Sequence, residues 1–69
     1  MERDIVLFSK LLCLEIEYYK RLTKDNVRKT YESLYDFWEY TDDEKQYIYD
    51  KALELVHKNC GVDVSEWKD

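Results

Sequence analysis

The chain contains no proline, and Gly61 is its single glycine. A sandwich or barrel of many short strands needs such residues at its turns, so long helices are the expected elements. Histidine occurs once, at His57, and cysteine twice, at Cys13 and Cys60. A helical di-metal centre needs a second Glu/His pair and further inward glutamates, which one histidine cannot supply. Glu54 and His57 share a helix face, but it is the polar face, and Cys60 lies on the other side. No Ser/His/Asp arrangement, glycine-rich phosphate loop or metal-spaced cysteine pair is present. No enzymatic activity, metal or cofactor is therefore expected.

Positive charge is also in deficit. Eleven Lys and Arg stand against sixteen Asp and Glu, for a net charge of −5. The basic residues are scattered rather than striped, which argues against direct binding to DNA or RNA. The opening Met-Glu-Arg-Asp leads into an apolar run broken at Ser9 and Lys10. That is neither a signal peptide nor a membrane span, so a cytoplasmic location is expected, with both cysteines as reduced thiols.

What is present is apolar and aromatic surface. Hydrophobic residues make up 45% of the chain and aromatics 16%, too much for a disordered segment. The 69 residues form one domain. A domain of this size buries only about 60% of its unfolded surface, so association or cross-linking matters to its stability. The richness in Lys, Glu, Asp and Tyr, with one Ala and one Gly, suggests an AT-rich bacterial, phage or plasmid source.

Periodicity divides residues 1–69 into helices over about 4–22, 26–40 and 42–59, followed by a tail over 60–69. On the first helix, ten apolar residues from Ile5 to Leu22 fall in an arc of roughly 200°. Lys10, Glu17, Lys20 and Arg21 lie opposite, with Val6 and Cys13 among them. Val27, Tyr31, Leu34 and Trp38 make the buried stripe of the second helix, with Phe37 beside it, and Thr23 or Asp25 is its cap. Thr41 and Glu44 form a capping box opening the third helix, whose first turn is acidic. Gly61 closes it. Val62, Val64 and Trp67 give the tail three apolar anchors with which to dock back. Short connections make successive helices antiparallel. The expected fold is an all-α, up-down-up three-helix bundle with a docked tail, either monomeric or dimeric.

Two features bear on function. Glu15 lies inside the apolar arc, with Leu11, Leu12, Tyr18 and Tyr19 as its helical neighbours and no basic residue among them. It needs a donor on another helix, or it sits where this face meets another molecule. An arc this wide exceeds what two neighbouring helices cover, which makes a homodimer through the helix-one face an open alternative. The second feature is the stretch 36–50, where six acids and five aromatics surround one lysine. Asp36, Glu39, Tyr40, Asp42, Asp43, Tyr47 and Asp50 suit a protein partner with a basic or mixed surface. Tyr40 and Tyr47 fall off the buried stripes and are expected to be exposed. Together with Glu15 and Tyr18 these are the candidate contact residues.

The sequence thus reads as a small acidic regulator or inhibitor acting by surface contact. Alternatives are an acidic nucleic-acid mimic blocking a DNA- or RNA-handling enzyme, and a purely structural homo-oligomer. Cys13 and Cys60 are expected to lie roughly 13 Å apart, if helices one and three end at the same height, and so to remain unbridged.

Overall fold

A computed structural model describes residues 1–19, 22–34 and 36–67. Among them are three α-helices and no strand: α1, Glu2–Tyr19; α2, Lys24–Glu32; and α3, Asp42–Cys60. Short 3₁₀ turns at Phe37–Glu39 and Ser65–Trp67 follow α2 and α3. The architecture is the three-helix bundle read from the sequence. Lys20 and Arg21, placed on the polar side of the first helix, lie outside the described residues.

Local chemistry sets most helix ends. The Thr23 hydroxyl accepts from the Asn26 N–H at 3.2 Å and opens α2. The Thr41–Glu44 capping box is complete, with reciprocal bonds of 3.2 and 3.0 Å. Gly61 takes the left-handed conformation, φ 68°, and its N–H donates to the His57 carbonyl.

The second helix departs from the sequence reading. It stops at Glu32 rather than near residue 40. No glycine or proline ends it; the Ser33 hydroxyl instead donates to the Thr30 carbonyl at 2.6 Å. Such back-bonding competes with the helical ladder. Tighter i→i+3 bonds follow, from the Leu34 N–H to Tyr31 and from the Phe37 N–H to Leu34. The change of pitch turns Phe37 into the core and Trp38 out to solvent, 76% exposed, where unbroken periodicity would bury Trp38.

The core is formed by Ile5, Phe8 and Leu12 of α1, Val27 and Tyr31 of α2, and Ile48, Tyr49, Ala52, Leu53 and Val56 of α3. Leu22, Leu34, Phe37, Val64 and Trp67 close it. The tail docks as expected. The Trp67 indole N–H donates to the Leu22 carbonyl at 3.3 Å, and the Tyr49 hydroxyl donates to the Trp67 carbonyl at 2.7 Å.

The cysteines correct a second expectation. Cys13 and Cys60 are joined by a disulfide, with their α-carbons 6.5 Å apart. The two long helices run parallel, but they do not end level. Tyr40, just before α3, bonds to Asp4 near the start of α1, and Cys60 at the end of α3 reaches only Cys13. The end of α3 thus falls opposite Cys13 rather than Leu22. That slide of nine residues amounts to roughly 13 Å, the distance that seemed to keep the thiols apart. The bridge spans a sequence separation of 47, and in the loop-closure picture such a link is worth about 4 kcal/mol. Reduction, or Cys60→Ser, is therefore expected to lower the urea-unfolding free energy by about that amount. An unchanged midpoint in reductant would show that the thiols are not bridged in solution.

Candidate functional site

The nine candidate residues do not form one site. Glu15 is half-buried and faces α2. The Thr30 hydroxyl lies 3.1 and 3.2 Å from its two carboxylate oxygens, so the donor comes from within the bundle. Asn26, Lys29 and Leu22 line the same groove. Among the described residues, a threonine hydroxyl meets the acid. Tyr18 is on the outer side of α1, 82% exposed, beside Tyr19.

Asp36 and Tyr40 turn inward onto the start of α1. Asp36 pairs with Arg3 at 3.0 Å. Tyr40 is half-buried, not free as its periodicity suggests, and its hydroxyl donates to Asp4. Asp4 is the acid that sequence reasoning overlooked. It is only 1% exposed; one carboxylate oxygen accepts from Tyr40 and the other has no hydrogen-bond partner among the described residues. It lies in the first turn of α1, where free backbone N–H groups and the helix dipole favour an acid. A first-turn acid is so ordinary in sequence that nothing marked this one as buried.

Glu39, Asp42 and Asp43 are exposed at the tip, and Asp43, Tyr47 and Asp50 follow one another along the outer side of α3. Asp50 accepts from the Gln46 amide at 3.0 Å. The missed surface residue is Trp38. Its ring meets Phe37 edge-on, with centroids 4.8 Å apart. The Lys45 ammonium lies 4.4 Å from the Phe37 centroid and 5.5 Å from that of Trp38. Trp38 is thus an exposed indole on a fixed platform, next to the acids that open α3. The hydroxyl residue Ser33 was the signal that could have revealed it.

Among the described residues, no cluster of His, Cys, Asp and Glu is arranged to hold a metal. The His57 Nδ1 lies 2.9 Å from the Val62 carbonyl, bracing the turn after α3. No described helix is long and apolar enough to cross a membrane. Comparison of the chain with protein-family models, curated proteins and solved structures gives no match.

Two tyrosines are held in the neutral form. Burial, followed by the nearby Asp4 and Tyr40, raises Tyr31 to about 12 against the opposing pull of Arg28. The hydrogen bond to Asp4, then burial, raises Tyr40 to about 12. Both lie above the ordinary value of 10.0, so their contribution is complete below pH 10 and is lost as pH rises towards 12. Stability is expected to be flat up to pH 10 and to fall beyond it. Phenolate absorbance from Tyr31 and Tyr40 should appear only near pH 12, and Tyr40→Phe should remove one of these two contributions. At the other carboxylate, Thr30→Val leaves Glu15 without its hydroxyl and is expected to cost about 1 kcal/mol in chemical unfolding.

Proposed function

We propose that this chain is a small acidic regulator or inhibitor that acts by binding another protein and performs no chemistry of its own. The exposed Trp38, fixed on Phe37 and bordered by Glu39 and Asp42, is the observation that carries the reading. A rigid aromatic beside acids is the composition of an interaction hot spot. It supplies contact area at low entropic cost, while Asp43 and Asp50 add steering toward a basic or mixed surface. Neither direct nucleic-acid binding nor membrane attachment is part of this proposal.

The cysteines bear on where it acts. A cytoplasmic regulator would carry Cys13 and Cys60 as a dithiol, because cytosolic thiols are kept reduced. The bridged form belongs to an oxidising compartment, and mass spectrometry after thiol alkilation of protein taken directly from its host distinguishes the two.

The binding reading is tested by affinity capture from the native host with the wild type, Trp38→Ala, and the double variant Asp43→Lys with Asp50→Lys. Capture of the same partner is expected to be lost in both variants while the helical circular-dichroism signal is kept. Undiminished capture would place the contact elsewhere. If nucleic acid displaces the captured partner, the acids act as a nucleic-acid mimic instead.

A further inference from the structure

Leu7, Leu11, Leu14 and Tyr18 recur along α1 at spacings of four, three and four, the a/d rhythm of a coiled-coil seam. Leu11 is half-buried, but Leu7, Leu14 and Tyr18 are 41%, 53% and 82% exposed. Two other sides of α1 are occupied. Phe8 and Glu15 meet Tyr31 and Thr30 of α2, and Cys13 is bonded to Cys60 of α3. The tail docks at Leu22 and Tyr49 and leaves the seam open. At about 100° per residue, the seam lies roughly 90° around α1 from the side that faces α2, which is the direction of a further helix in a bundle.

We propose that this ridge packs antiparallel against the same ridge of a second copy of the chain. The flanking charges select that occupant and that direction. Lys10 and Glu17 are exposed, and each directly precedes a seam residue, Leu11 or Tyr18. An antiparallel register that sets Leu11 against Leu14, and Leu7 against Tyr18, of the second copy brings Lys10 within about 3 Å of axial level with Glu17 of that copy. Twofold symmetry repeats the pair, so the surface is complementary to itself. A parallel pairing would set Lys10 against Glu15 of the second copy, and Glu15 is turned to Thr30 of its own chain. The seam is short, so the dimer is weak, with a dissociation constant on the order of 100 µM. It uses none of the acids of the 36–50 stretch and stands or falls separately from the binding reading above.

Sedimentation velocity on the bridged protein from about 10 µM to 1 mM reads the assembly directly. The wild type is expected to shift from monomer toward dimer across that range. Lys10→Glu alone and Glu17→Lys alone each set like charges face to face, and each should weaken self-association at least about tenfold. An equimolar mixture of the two variants should recover dimerisation, because every flanking contact is again between opposite charges. Far-ultraviolet circular dichroism checks that both variants fold. A wild type that remains monomeric at the highest concentration overturns the proposal. So do single variants that associate like the wild type, or folded variants that fail to associate when mixed.

Discussion

Three aromatic rings, one from each helix, hold this small domain together. Phe8, Tyr31 and Tyr49 meet with centroids 5.0, 5.9 and 5.5 Å apart, and each is at most 1% exposed. Their rings supply much of the large apolar surface that a domain of this size must bury. Burying two phenols is favourable only if both hydroxyls are satisfied. Tyr31 donates to the Lys45 carbonyl at 2.6 Å and Tyr49 to that of Trp67 at 2.7 Å. These bonds tie the knot to the first turns of α3 and to the tail. The same contacts that fill the core thereby fix how the four segments sit against one another. Moving α2 or α3 along its axis would leave a buried hydroxyl without its acceptor.

The second constraint is the short middle helix. The nine residues of α2 rise roughly 13 Å, about half the rise of α1 or α3. The chain completes its descent before Thr41, with Asp36 carried to Arg3 and Tyr40 to Asp4. The third helix therefore ends opposite Cys13. One early helix stop thus accounts for the disulfide, for the inward turn of Tyr40 and for the exposure of Trp38.

This explains which features were legible in the sequence. The capping box at Thr41, the stop at Gly61 and the docking of Trp67 are local or strongly apolar signals, and each appears where expected. The end of α2 was not legible from breakers, because no glycine or proline stands there and the Ser33 hydroxyl bonds back to the Thr30 carbonyl instead. The cysteine pairing depends on axial offset between helices that are far apart in sequence, and periodicity carries angles but no heights. Glu15 stood out because its helical neighbours are apolar, yet its donor is on α2, where no i,i+4 rule could find it. Asp4 stayed hidden for the converse reason. Its position is ordinary for a helix start, and only the arrival of Tyr40 from the 3₁₀ turn makes it buried.

The breadth of the α1 apolar face has the same origin. A helix contacting two full-length neighbours needs an apolar stripe a little over 100° wide, and α1 carries roughly twice that. Its partner α2 is half as long, α3 stops opposite Cys13, and the tail turns back toward Leu22 and Tyr49. Residues from Leu14 to Tyr19 thus extend past the end of α3. Leu7, lower on the helix, points away from both neighbours. The exposed apolar residues of α1 are therefore not scattered at random over the surface. They mark where a long helix outreaches the elements that pack against it, and the regular four-three-four spacing of the seam suits that uncovered side to another helix rather than to water.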